Sequence, residues 1–365
     1  MSLTGINNGT LKESSMRVTT GIALGFALLM STSALAATTF TVNPLISDKQ
    51  GKAPNVDPDL KNPWGISQFP GGNLWISDNR TGVSTIYDPV TGVKNALVVT
   101  TPGEKAGRVG RPTGQVAMPS GHGFVVTEAA TSGESVFIFA TEDGQIEGWN
   151  PNVDLHNAIV AYHTNDDGAG RKKGDGAHYT GLAWDPTSNH LFATDLVGNS
   201  VDIFDNTFAK IGSFTDPNLP KGYAPFNVAL LNNKLYVTFA KRKAGGDDPI
   251  EGKGLGYVDV FSTAGVYQTT LVANGALNAP WGLAIAPANF GTFAGSLLVG
   301  NFGEGHINAF NPSTGALVGT LSTATKSIQI EGLWQLDDTG NGSITFSAGL
   351  SHGEKHGLVG RITPQ

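Results

Sequence analysis

A short opening motif recurs six times along these 365 residues, each time running into an apolar strand. The copies are Asn62-Pro63-Trp64-Gly65-Ile66, Arg111-Pro112-Thr113-Gly114-Gln115, His178-Tyr179-Thr180-Gly181-Leu182, Ala224-Pro225-Phe226-Asn227-Val228, Ala279-Pro280-Trp281-Gly282-Leu283 and Ile330-Glu331-Gly332-Leu333-Trp334. Counted from Gly65, the steps are 49, 67, 46, 55 and 50 residues. A period of this size marks a supersecondary unit that cannot bury its apolar faces alone and must stack on its neighbours.

Within each unit a second strand ends in small or polar residues. Leu74-Trp75-Ile76-Ser77-Asp78 and Leu191-Phe192-Ala193-Thr194-Asp195 are the clearest, and Phe124 to Glu128, Leu235 to Phe239, Leu297 to Asn301 and Ile344 to Ala348 are variants. A third run follows, such as Val201-Asp202-Ile203-Phe204 and Val258-Asp259-Val260-Phe261, and turns like Pro312-Ser313-Thr314-Gly315 lead to a fourth. Alternating apolar residues in short runs fit half-buried antiparallel strands. The 49 glycines supply the turns between them. Four strands repeated six times predict an all-β, six-bladed β-propeller of four-stranded antiparallel blades. The last unit lacks an outer strand, and Thr39 to Leu45 is an unassigned strand-like stretch. The expectation is that this N-terminal strand joins the last blade and closes the ring.

Composition narrows the function. A net charge of −7, a pI near 5.6 and no basic stripe argue against nucleic acid as a partner. Arg171-Lys172-Lys173 and Lys241-Arg242-Lys243 lie in Gly/Asp-rich loops and fit solvated charge. The absence of cysteine excludes thiolate metal sites, disulfides and cysteine nucleophiles. Met16-Arg17, the apolar Gly21 to Met30 and the small-x-small Ala34-Leu35-Ala36 form a signal-peptide pattern over residues 16–36. Residues 1–15 are polar and are expected to be a mis-annotated extension. The expected mature protein is a single propeller, 37–365, exported to the periplasm or beyond, monomeric and without a membrane span.

The stretch Leu191 to Asp205 resembles NHL-type propeller repeats. The whole mature chain resembles an uncharacterised family of exported bacterial propellers. Asn62-Pro63-Trp64-Gly65, Trp75-Ile76-Ser77-Asp78-Asn79, Ala279-Pro280-Trp281-Gly282 and Asn301-Phe302-Gly303-Glu304-Gly305 carry the likeness. Members of that family often end in a PEP-CTERM sorting tail, which this sequence lacks. The resemblance implies the propeller fold and no particular activity.

Propellers place ligands at a mouth of the central channel. The ends of the second strands (Asp78, Glu128, Asp195, Asn301) and the openings (Asn62, Asn227, Glu331) are expected there. Clustered carboxylate and amide oxygens suit Ca2+. Six-bladed lactonases hold calcium in the channel, although their ligand motifs are not matched here. The candidate metal ligands are Glu331, Asp78, Asp195, Asn227 and Asn301, with Glu331 standing where other repeats carry Trp64, Thr113, Thr180, Phe226 or Trp281. The competing reading is structural: an acid after Ser or Thr at the end of a second strand commonly bonds backbone groups of the neighbouring blade. His352 and His356 form a possible second metal site on a Gly-rich loop, and His178 and His306 lie near openings. The tryptophans fit blade packing better than carbohydrate platforms. No nucleophile elbow or P-loop is present.

Two functions follow. One is a binding propeller for a small ligand, glycan or protein at its loop-rich face, shaped by the insertions at 165–177 and 240–254. The other is a metal-dependent hydrolase or lyase with a histidine base. A purely structural matrix protein is a third.

Overall fold

Each opening motif leads into an innermost strand, and in blades 1, 3, 4 and 5 the next three strands pair outward from it in order. The computed structural model describes residues 38–164, 176–351 and 353–365, together with Gly9; the leader pattern at 16–36 and the cluster at 171–173 lie outside these. Ala37–Gln365 form one compact unit. Its strands make six antiparallel sheets, the six blades. From inside outward, blade 1 is Pro63–Ser67, Leu74–Asp78, Val83–Tyr87 and Lys94–Thr100. Blade 3 is Tyr179–Asp185, His190–Asp195, Ser200–Phe204 and Lys210–Phe214. Blade 4 is Tyr223–Leu231, Lys234–Lys241, Gly256–Phe261 and Tyr267–Ala273. Blade 5 is Pro280–Ile285, Leu297–Asn301, Ile307–Phe310 and Leu317–Thr320.

The expected closure is present. Blade 6 consists of Leu333–Asp338, Ile344–Leu350 and His356–Pro364, with Phe40–Ser47 as its outer strand. Phe40 pairs with Pro364 and Ser47 with Leu358 across this seam. Phe40 and Ile46 are fully buried, so the seam is apolar as well as hydrogen-bonded.

Blade 2 departs from the sequence expectation. Its second strand is Phe137–Thr141, followed by Gln145–Trp149 and Ile159–His163, all built on Pro112–Ala117. Val125–Glu128 instead pairs with Thr131–Glu134 in a separate hairpin. Glu128 is therefore exposed on an insertion, and Thr141 ends the second strand.

All six innermost strands slip register at one shared position. The slips fall at Trp64 (with Gly65), Thr113 (with Gly114), Thr180, Phe226, Trp281 and Trp334 (with Gln335). A bulge re-aims the extra side chain, and here four large aromatics meet on the ring axis. The residue after the bulge is glycine in four blades because the next blade packs against it. A Cβ on Gly65 would lie 2.5 Å from the Thr113 carbonyl oxygen, and one on Gly282 2.5 Å from that of Trp334. Gly114 and Gly181 meet blades 3 and 4 in the same way. Between blades the core divides into separate layers, such as Trp75, Ile86, Phe137, Phe139 and Trp149 between blades 1 and 2. Each fully buried large side chain of this kind contributes roughly 2–3 kcal/mol.

Candidate functional site

The aromatics on the axis form a plug. Trp64 stacks on Trp334 with centroids 3.5 Å apart, and Phe302 stacks on the other face of Trp334 at 4.3 Å. Trp281 and Phe226 meet this column edge-on. Trp281 Nε1 donates to the Thr180 carbonyl at 3.1 Å, across the axis, and Trp334 Nε1 donates to Asn62 Oδ1 at 2.9 Å. Trp64 Nε1 is buried without a partner.

Above the plug the openings and the second-strand ends surround a recess. A cavity of about 310 Å³ lies over Trp64, Phe226, Trp334 and Phe302 and is rimmed by Glu142, Asp247, Asp248, Glu251 and Glu354, with His178 and Lys243. It shares Glu251, Phe302 and Glu354 with a neighbouring cavity of about 530 Å³, which adds Glu304 and Glu331. Seven carboxylates thus gather around His178 and Lys243, and one of the seven, Glu142, is ion-paired with Arg111 at 2.9 Å. Phe302 is the partly exposed ring of the stack.

Glu354 dominates the electrostatics. It sits at a turn with φ of 51° and accepts a hydrogen bond of 2.6 Å from Asn62 Nδ2. Burial pushes its carboxyl up to about 7; the Asn62 bond opposes this, and Glu142 and Asp248 add to it by repulsion. Glu304 is likewise raised by burial, against the bond from Asn301 at 2.6 Å. His178 is buried beneath the rim, 3.6 Å from Glu142 and 4.0 Å from Asp247. His306 lies 3.7 Å from Glu304.

The residues expected to ligate a metal are distributed differently. Asp78 is fully buried and accepts the Thr85 hydroxyl at 2.6 Å; burial holds its carboxyl well above the usual range. Asp195 accepts the amides of His178, Val197 and Gly198, tying its own blade's opening to a turn. Asn227 donates to the Trp281 carbonyl of the next blade at 2.8 Å. Asn301 accepts the Asn278 amide and donates to the Ala276 carbonyl. Of these four, Asn227 bonds the neighbouring blade, while Asp78, Asp195 and Asn301 bond groups of their own blade or of the segment leading into it. Glu331 does line the mouth, but not at the repeat position expected for it. Pairing of Leu333 with Ala348 and Leu336 with Phe346 puts Trp334 at the Trp64 position. Glu331 precedes the blade and is exposed. Gly332, at φ 63°, then matches Asn62 at 50° and Ala279 at 44°, not Gly65. His356 bonds Asp48 at 2.7 Å beside the seam, and His352 lies outside the described residues. Among the described residues no three His, Asp or Glu side chains are arranged to hold a metal ion. No helix among them is long and apolar enough to cross a membrane.

Sequence reasoning missed Glu142, Phe302 and Glu354 as mouth residues. The 240–254 insertion was expected to shape a mouth, and it supplies Asp247, Asp248 and Glu251.

Fold and mouth together define a six-bladed propeller with an aromatic plug under an acidic axial recess. No family model matches the chain. Uncharacterized protein R648 of Acanthamoeba polyphaga mimivirus is 32% identical over 343 residues, covering 90% of this chain and 81% of the relative. Uncharacterized protein L690 of the same virus is 33% identical over 345 residues, covering 90% and 86%. The chain belongs to the family of these viral proteins. Among solved structures, a streptogramin B lyase superposes with a TM-score of 0.50 at 11% identity, covering 89% of this chain and 98% of the other. Virginiamycin B lyase from Staphylococcus aureus does so with 0.50 at 14%, covering 89% and 99%. These likenesses are of fold.

Proposed function

We propose that this chain is an exported binding propeller whose axial mouth takes a small organic cation with an apolar body, such as a polyamine or quaternary ammonium compound. The observation that carries this reading is the juxtaposition of seven rim carboxylates with the partly exposed face of Phe302. A cation over an aromatic face gains about 0.5–2 kcal/mol, and a recess lined by one sign of charge raises the local concentration of its counter-ion. The buried plug closes the channel beneath, so a ligand enters and leaves by the mouth. The leader-like pattern at 16–36 supports export, which terminal sequencing of the mature protein would check.

Calorimetric titration with spermidine, choline and a neutral sugar of similar size tests the binding. Both cations should bind and the sugar should not, with affinity falling as salt rises. E251Q should weaken spermidine through lost charge, and F302A should weaken choline through the lost ring. Equal binding of the sugar, or cation binding indifferent to both variants, overturns the reading.

A further inference from the structure

The axial channel has a second mouth on the far side of the plug. Each inner strand runs from the acidic mouth past its plug residue to the opposite end of the ring, where two cavities meet. One, of about 200 Å³, follows the axis from Trp281 past Gln115 and Gln335. The other, of about 400 Å³, is lined by blades 6, 1, 2 and 3. Gln115, Val116 and Trp184 belong to both.

The polar lining of this mouth is one-sided. Four side-chain amides reach it, and every one turns its nitrogen onto a backbone carbonyl. Gln115 Nε2 donates to Gly65 at 3.0 Å and to Trp75, and Gln68 Nε2 donates to Thr339 at 3.3 Å. Asn227 Nδ2 donates to Trp281 at 2.8 Å, and Gln335 Nε2 to Leu336 at 3.3 Å. The indole N–H groups are engaged as well, that of Trp184 by Asn189 Oδ1 at 3.2 Å and that of Trp281 by Thr180. What remains is acceptor oxygen. Gln115 Oε1, Gln68 Oε1 and Ser67 Oγ are buried without a partner, and Gln115 and Ser67 are only 5% and 8% exposed. Asp337 and Asp338 add carboxylates, and no lysine, arginine or histidine lines either cavity. Buried acceptors left unpaired are costly, and a bound donor relieves that cost.

We propose that this second mouth binds a planar cation rich in N–H groups, a guanidinium or amidinium carried on an apolar body. Such a head has donors and no acceptor, so it matches amide oxygens and carboxylates together. A neutral heterocyclic base would set acceptors of its own against this lining, and a quaternary ammonium has no N–H to offer. A flat cationic head also stacks on an aromatic face. The partly exposed Trp184, with His122 edge-on to it at 4.6 Å between centroids, supplies one. Val116, Leu182 and Leu230 give the apolar body a surface to lie on. The plug separates the two mouths, so this site does not depend on the function proposed for the other.

Calorimetric titration of the full chain with benzamidine and with phenyltrimethylammonium, a cation of like size without an N–H, tests the assignment. Benzamidine should fill one site more than phenyltrimethylammonium, whether the acidic mouth takes both cations or neither. That extra site should weaken about tenfold or more in Q115L, which loses a charge-assisted hydrogen bond, and by a similar factor in W184A, which loses the ring. Should either variant fail to fold, D337N, isosteric and only partly buried, carries the comparison with an expected loss of about threefold. Equal numbers of sites for the two cations, or an extra benzamidine site indifferent to the folded variants, overturns the proposal.

Discussion

Replacing Glu354 by glutamine separates charge from shape at the mouth. The carboxyl is held at about 7 in the folded protein, against 4.5 for an ordinary glutamate. A raised carboxyl means the folded state keeps its proton over a range where the unfolded chain has lost it, so its contribution to stability falls as pH climbs from 4.5 to 7 and is level beyond. At about 1.36 kcal/mol per pH unit the full penalty is about 3.4 kcal/mol; partial exposure to water reduces it to roughly 2 kcal/mol. The glutamine in E354Q still offers an oxygen to Asn62 Nδ2, which now donates to Glu354 at 2.6 Å, and it cannot ionise. Urea unfolding of both proteins at pH 5.0 and pH 8.5 gives the measurement. The two should be nearly equal at the lower pH, with E354Q more stable by about 2 kcal/mol at the higher. The other acids titrate in both proteins and cancel in the difference. A gap between variant and wild type that is the same at both pH values would refute the reasoning, because no carboxyl at residue 354 would then be titrating between them.

Three further outcomes are expected. G282A and G114A should each lose about 3 kcal/mol or more in chemical denaturation, since their Cβ atoms would strike backbone of the next blade, whereas G71A, whose Cβ meets nothing but whose φ is 73°, should lose only about 1 kcal/mol. E147Q should stabilise the protein by about 1–3 kcal/mol at pH 8, because Glu147 is fully buried, both its oxygens lack partners and burial holds its carboxyl well above the usual range; equal stability at pH 8 would show that the carboxylate is compensated. Deleting residues 38–47 should abolish cooperative melting in a calorimeter, since the outer strand of blade 6 and the buried Phe40 and Ile46 go with it.

The ring and its closure were legible because inner strands carry a local signature, a residue re-aimed by a bulge followed by glycine. Where another sequence imitates that signature, reading by pattern slips. Glu331-Gly332 imitates it in blade 6, although that glycine serves a left-handed backbone at the strand entry and the plug residue is Trp334. Phe124 to Glu128 alternates like a second strand and belongs to an inserted hairpin, which hid Thr141 and Glu142. The mouth was harder to read than the fold. Glu354 comes from a turn, and its hydrogen-bond partner Asn62 is 292 residues away. Only the closed ring brings the two together, so no local pattern marks either as part of one site. The strand-end acids were visible for the opposite reason: they recur, Asp195 bonding the His178 amide at its own blade's opening and Asp78 the Thr85 hydroxyl of the next strand.

The seam at Phe40–Ser47 makes assembly order part of the design. The outer strand of the sixth blade is made before any other blade strand and its partner, His356–Pro364, after all of them, so a growing chain carries a waiting edge until synthesis is complete. Unpaired edges accept whichever matching strand arrives first. At high concentration that strand can belong to a second molecule, and the same pairing that closes one ring would then link two by exchanging their first strands.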